Sequence, residues 1–176
     1  MKYNTIVLKN YLHIREEYAA AATIIPGMLV ELNSAGNVQK HSGAGRTALP
    51  MFAIEDALQG KGINQNLAAD NYLSGDRVQV WVPTRGDIVY ALLNDEEIVA
   101  IGDFVESAGN GLLRKVVRTN ESWESADTAP GGGQHSIYDL HIVGQVLEAK
   151  DLSSLDGSES SAATATTTQY IQVRIF

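Results

Sequence analysis

The sequence predicts a mainly β protein: a compact β-barrel or β-sandwich with two duplicated β units, an N-terminal arm and long surface loops. Three observations lead to this prediction. Apolar and polar residues alternate with a period of two in several segments, which is typical of half-buried strands. Turns rich in glycine and asparagine separate these segments. Several short motifs recur, in the same order, later in the chain.

The two clearest strands lie at residues 77–82 and 170–176. The first places three valines on one face, and the second does the same with Ile171, Val173 and Ile175. Further short strands are expected at Met28–Leu32, Met51–Glu55, Ile88–Leu92, Phe104–Glu106, Leu112–Val117 and His141–Glu148. Many short strands joined by tight turns favour a barrel or a sandwich.

Residues 14–22 permit two interpretations. The run from Ile14 to Ala22 has high helix propensity, yet it is short for a stable helix and Pro26 closes it off. A helix and an extended arm both remain open here.

Two segments, 118–135 and 153–168, are predicted to be long surface loops. Both contain few large apolar side chains, so burial would not offset the entropy lost on ordering them. They are either mobile surface excursions or contact elements that order against a partner.

The recurring motifs suggest an internal duplication. Residues 27–31 match 102–106, 34–37 match 107–110, 53–55 match 146–148, and 78–80 match 171–173. An insertion at 118–135 would explain the longer spacing of the later matches. We therefore divide the chain into an arm at 1–23 and a body at 24–176, with possible units at 24–85 and 86–176. Shared turn chemistry is the alternative explanation.

Composition restricts the function. The chain has no cysteine, so thiolate catalysis, disulfides and cysteine-ligated metals are excluded. A net charge of −8 argues against nucleic-acid binding, which requires a basic surface. No apolar run is long enough for a membrane helix, and the first residues lack the features of a signal peptide. We expect synthesis in a cytoplasm and no membrane partner.

No motif in the chain predicts catalysis. Residues 41–47 depart from a phosphate-binding loop because Arg46 replaces the lysine. The four histidines lack metal-ligand spacing. Carboxylates such as Asp87 and Asp95 are interpreted as solvated turn residues, and Arg85-Gly86-Asp87 as a tight turn between strands. We expect no enzyme, no cofactor and no metal site.

Four segments resemble the capsid decoration, or cement, proteins of tailed bacteriophages. They are residues 49–63, 75–78, 86–93 and 101–111. The resemblance lies in pattern and turn chemistry and covers most of residues 24–117. It implies a β-rich body, a homo-oligomer with a trimer favoured, and an extended N-terminal arm that clips onto the shell. The insertions 118–135 and 153–168 depart from the pattern.

The N-terminal segment carries an apolar load that is unusual for a chain end. We expect its large side chains to contact the capsid or a neighbouring subunit, although an ordinary first strand or helix on the chain's own domain is the alternative. The candidate contact residues are Tyr3, Ile6, Val7, Leu8, Tyr11, Leu12, Ile14 and Tyr18.

The predicted function is that of a non-enzymatic virion protein on the capsid exterior. It would bind the phage major capsid protein and stabilise the shell by bridging capsomers. The alternatives are another virion component (a head-fibre base, a tail protein or a small capsid protein) and a β module that binds carbohydrate or a small ligand. In the last case Trp81, Trp123 and Tyr138 could stack on a sugar, although Trp81 fits core packing better.

Overall fold

The computed structural model describes residues 4–12, 14–46, 48–63, 70–116, 142–153 and 169–176. Within these ranges the chain is built from short strands and one 3-10 helix, Ala57–Gln59. The strands are β1 (Val7–Lys9), β2 (Ile14–Ala19), β3 (Val30–Leu32), β4 (Val38–Lys40), β5 (Phe52–Ala53), β6 (Arg77–Val82), β7 (Ile88–Leu92), β8 (Ile98–Val99), β9 (Phe104–Ser107), β10 (Leu113–Lys115), β11 (Gly144–Val146), β12 (Lys150–Asp151) and β13 (Tyr170–Ile175). The mainly β, sandwich-like prediction is confirmed.

Four sheets organise these strands, and all ladder pairings are antiparallel. The largest has the order β1-β7-β13-β11-β9-β10. The others are β2-β6-β5, the hairpin β3-β4 and the pair β12-β8. Loop 118–135 lies outside the described residues, and so does loop 153–168 apart from Ser153.

The alternating patterns predict the buried faces well. Ile171 and Val173 of β13 are fully buried, and so are Val78 and Val80 of β6. Trp81, on the opposite face of β6, is also fully buried. That strand is therefore covered on both sides, and packing leaves the Trp81 ring unavailable to a sugar. Trp123 and Tyr138 lie outside the described residues.

The two halves of the chain share their hairpin pairing. Val30 faces Lys40 in the β3-β4 hairpin, and Val105 faces Lys115 in the β9-β10 hairpin. The glycines before the two hairpins, Gly27 and Gly102, both have φ of 95°, a conformation that favours glycine. In this register Ser107 corresponds to Leu32 and not to Ser34. Residues 34–37 and 107–110 therefore do not occupy equivalent positions, and their similarity is one of turn chemistry only.

The long strands of the two halves also share their register. Ala53 faces Val80 between β5 and β6, just as Val146 faces Val173 between β11 and β13. On their other side, β6 pairs with β2 and β13 pairs with β7. Strands β2 through β6 thus repeat as β7, β9, β10, β11 and β13, with β2 corresponding to β7.

The N-terminal residues belong to these sheets. β1 pairs with β7, and all six residues of β2 pair with β6. The expectation of an arm separate from the body is therefore wrong for residues 14–19, because their backbone completes the first unit. This segment is a strand and not a helix.

One core joins the two units. The Tyr170 hydroxyl of the second unit donates to the Pro26 carbonyl of the first at 2.6 Å, and its ring stacks on Tyr90 at 5.0 Å. Leu29 N–H donates to the Gly111 carbonyl at 2.8 Å. Burial raises the pKa of the Tyr170 hydroxyl, which keeps this donor neutral. The units therefore form a single packed body.

Candidate interaction surface

The segment before β2 is fastened to the body at several points. Ile6 N–H donates to Glu55 Oε2 at 3.0 Å, and the Thr5 hydroxyl donates to Glu55 Oε1. The Ile6 carbonyl accepts from Tyr90 N–H at 2.8 Å. These bonds fix the chain just before β1.

Asp87 holds the segment a second time. It is almost fully buried, and its Oδ1 accepts from Tyr11 N–H at 2.7 Å. Its Oδ2 accepts from Thr84 N–H at 2.8 Å and from the Thr84 hydroxyl at 3.0 Å. The Arg85-Gly86-Asp87 segment is the predicted tight turn. The interpretation of Asp87 as a solvated carboxylate is wrong, because its side chain joins the N-terminal segment to this turn.

The predicted contact residues that the structure describes divide into three groups. Ile6 is fully buried in the chain's own core, so the expectation that it contacts another subunit is wrong. Val7, Leu8 and Tyr18 are half-buried against that core. Tyr3 lies outside the described residues. The exposed members are Tyr11 (87% exposed), Leu12 (53%) and Ile14 (44%).

Tyr11 and Leu12 therefore form an apolar patch held by its surroundings. Residue 11 is bonded through its own N–H to Asp87, and the link between β1 and β2 is anchored at both ends by strand pairing. A side chain displayed on a fixed backbone loses less entropy on binding than one on a loose chain end. We call these two residues the apolar patch below.

β2 carries a polar surface next to this patch. Arg15, Glu16 and Glu17 are all exposed. The Tyr18 hydroxyl donates to Glu16 Oε2 at 2.5 Å, and this hydrogen bond raises the pKa of Tyr18. Glu17 pairs with Arg77 of β6 at 3.2 Å.

A shallow apolar groove of about 240 Å³ lies beside the β3-β4 hairpin. Glu31 at its edge accepts hydrogen bonds from Gln39 Nε2 at 2.8 Å and from the Ser42 hydroxyl at 2.7 Å. Burial raises the pKa of this carboxyl, but those bonds and the nearby His41 outweigh it and lower the pKa below its usual value. The groove is lined by Val30, Glu31, Leu32, His41, Ala48, Leu49 and Met51.

His41 serves a structural role between the two units. It is buried, its Nδ1 lies 2.7 Å from Ser107 Oγ of the second unit, and its Nε2 lies 3.6 Å from Glu31 Oε2. The other histidines, His13, His135 and His141, lie outside the described residues. Within the described ranges, no group of three His, Asp or Glu side chains is arranged to hold a metal ion.

No helix in the described part of the chain has the length and apolar character needed to span a membrane.

Comparisons with known proteins show similarity to solved structures. No family model matches the chain, and no curated protein matches it. Among solved structures, the chain is similar to the N base of the head fiber gp8.5 in bacteriophage phi29, with 10% sequence identity and a TM-score of 0.49. The alignment covers 94% of this chain and 95% of that one.

Proposed function

We propose that this chain is a non-enzymatic structural component of a tailed-phage virion that decorates the capsid exterior and stabilises the shell by bridging capsomers. The observation that carries the proposal is the apolar patch, which is exposed yet held on an anchored backbone. The resemblance of residues 24–117 to decoration proteins supplies the class of partner.

A decoration protein binds its shell through many copies of one contact. Each large apolar side chain fully buried against a partner contributes about 1.5–3 kcal/mol before ordering costs. Because Tyr11 N–H is already bonded to Asp87, the backbone of the patch loses little further conformational entropy on binding. Many such contacts over one shell add through avidity, so each contact can be modest. On the particle we expect a homo-oligomer, with a trimer favoured, bound to the major capsid protein.

Binding to capsids that lack the protein tests this proposal. The double variant Tyr11→Ser/Leu12→Ser removes the patch, and its melting temperature should not change because both side chains are exposed. Loss of two interface anchors should weaken binding in co-sedimentation by about a hundredfold.

The matched control is Leu58→Ser/Ile101→Ser. Both of these side chains are also exposed, at 97% and 71%, but they lie elsewhere on the surface. This control should bind as the unaltered chain does. If both double variants bind equally well, or if the unaltered chain does not bind capsids at all, the proposal is wrong.

A further inference from the structure

β2 ends its sheet, whereas its counterpart in the second unit does not. β7 lies between β1 and β13, while β2 pairs with β6 on one side only in the described part of the chain. β2 and β7 occupy equivalent positions, because the residue after each strand makes the same hydrogen bond. Ala20 N–H donates to the Asp76 carbonyl just before β6 at 2.8 Å, and Leu93 N–H donates to the Gln169 carbonyl just before β13 at 2.9 Å. Among the described residues, no strand takes the position beside β2 that β1 takes beside β7.

The outer edge of β2 presents backbone hydrogen-bonding groups. Because the Ala20 N–H points toward β6, alternation along an antiparallel ladder turns the backbone groups of Arg15 and Glu17 outward. At the end of β2, residue 20 bridges Val38 of β4 on that outer side. The counterpart of Glu17 is Tyr90, whose N–H donates to Ile6 next to β1 at 2.8 Å. No described strand accepts the corresponding bond from Glu17.

The side chains of β2 restrict which strand can occupy this position. β7 presents Val89 and Tyr90 beneath β1, and both are buried. The corresponding residues of β2 are Glu16 and Glu17, and both are exposed. Glu16 accepts a hydrogen bond from Tyr18 and Glu17 pairs with Arg77, but a strand like β1 would remove both carboxylates from water, which is costly. An occupant that places a second cation opposite Glu17 would offset part of that cost.

We propose that the occupant is β2 of a second copy of this chain, paired antiparallel across a two-fold axis. The axis passes between the two Glu16 residues. Arg15 then faces Glu17 of the second copy, and Ile14 faces Tyr18 of the second copy. Each relation occurs twice because a two-fold contact is self-complementary. The contact joins the first units of two copies through one continuous sheet.

Charge selects this register over its neighbours. The two β2 strands could also pair in a shifted register. If the outward N–H and carbonyl groups of one copy still meet those of the other, the smallest shift moves the two-fold axis by one residue. The axis then passes between two Arg15 residues or between two Glu17 residues. Either arrangement also has one like-charge pair on the axis, and it loses both Arg15–Glu17 pairs. The proposed register has two Arg–Glu pairs and two apolar pairs, which offset the single Glu16–Glu16 approach on the axis.

This inference does not rest on the proposed function. It uses the edge of β2, whereas capsid binding is assigned to Tyr11 and Leu12 on the preceding link. In solution the contact produces a dimer. On a particle it can join subunits of neighbouring oligomers, where high local concentration makes a short strand contact effective.

Engineered cysteines test the contact, because the chain has none of its own. In the proposed register the two Glu16 residues form a non-hydrogen-bonded pair with Cα atoms about 4.5 Å apart, within the range for a disulfide. Glu16→Cys should therefore give a disulfide-linked dimer under mild oxidation. Ala19→Cys is the matched control, since the two copies of residue 19 would lie about 20 Å apart and should remain monomeric. Equal cross-linking of both variants, or none in either, would overturn the proposal.

Sedimentation equilibrium adds a charge test on the cysteine-free chain. Arg15→Glu should raise the dimer Kd by about tenfold, because two attractive pairs become repulsive. Glu16→Gln should lower the Kd, because it removes the repulsion on the axis. A chain that stays monomeric at every concentration, or a Kd unchanged by both substitutions, contradicts the contact. Neither residue belongs to the apolar patch, so capsid binding by each variant at saturating concentration should persist.

Discussion

The substitution Ile6→Ala tests whether the N-terminal segment belongs to the chain's own core. Ile6 is 0% exposed, and its Cδ1 packs close to Gly27. Truncating a fully buried isoleucine removes methylene burial and leaves a cavity, which together cost about 2–5 kcal/mol. For a chain of this length, a loss of about 3 kcal/mol lowers the melting temperature by roughly 6–12 °C.

Urea denaturation followed by tryptophan fluorescence measures this loss. Leu12→Ala is the matched control, because Leu12 lies six residues away on the same segment but is 53% exposed, and it should change stability by less than about 0.5 kcal/mol. If Ile6→Ala is as neutral as the control, the segment is not part of the core. The assignment of residues 4–9 to the body of the chain would then be wrong.

Two further predictions follow from the backbone and from the Glu31 cluster. Gly27→Ala should lower the free energy of unfolding by about 2–4 kcal/mol in thermal denaturation, because φ is +95° and a Cβ would lie 2.6 Å from the Tyr170 ring. Gly75→Ala is the control: its φ is +90°, but a Cβ there would meet open space, so the loss of stability should be smaller. A larger loss at Gly75 would refute this reasoning. Glu31 has a lowered pKa in the folded chain, so its stabilisation is present above its ordinary value of 4.5 and is lost as pH falls through the folded pKa. Glu31→Gln should therefore reduce stability at pH 7 and flatten its decline in acid, and parallel pH curves for the two proteins would contradict that assignment.

Local patterns were sufficient to predict the longer strands of the body and their buried faces, but not the short strands β4, β8 and β12. Val78 and Val80 alternate with polar residues, and the period of two fixes which side chains face the core. The same patterns could not determine the environment of Asp87. Its burial depends on Tyr11, which lies 76 residues away in the sequence, and no local signal reports that contact.

Helix propensity made the state of residues 14–22 ambiguous. Arg15, Glu16 and Glu17 favour a helix on their own, but six residue pairs with β6 override that preference. The charges instead suit an exposed edge, where solvated side chains protect a strand from indiscriminate pairing. The counterparts of Glu16 and Glu17 in β7 are Val89 and Tyr90, which are buried beneath β1. This difference can be recognised only when the register of both units is known.

The candidate surface was predicted in part. The apolar load of the N-terminal segment identified Tyr11, Leu12 and Ile14, which are exposed. It could not separate them from Ile6, because composition alone does not reveal which side chains of a strand-forming segment face inward. Pairing with β7 makes that distinction.

Electron cryo-microscopy of purified virions that carry this gene tests the central claim most directly. We expect density for this chain on the outer surface of the shell, with Tyr11 and Leu12 buried against the major capsid protein. Particles that lack the chain, or density that places it inside the shell, in the tail or with the apolar patch facing solvent, would contradict the account.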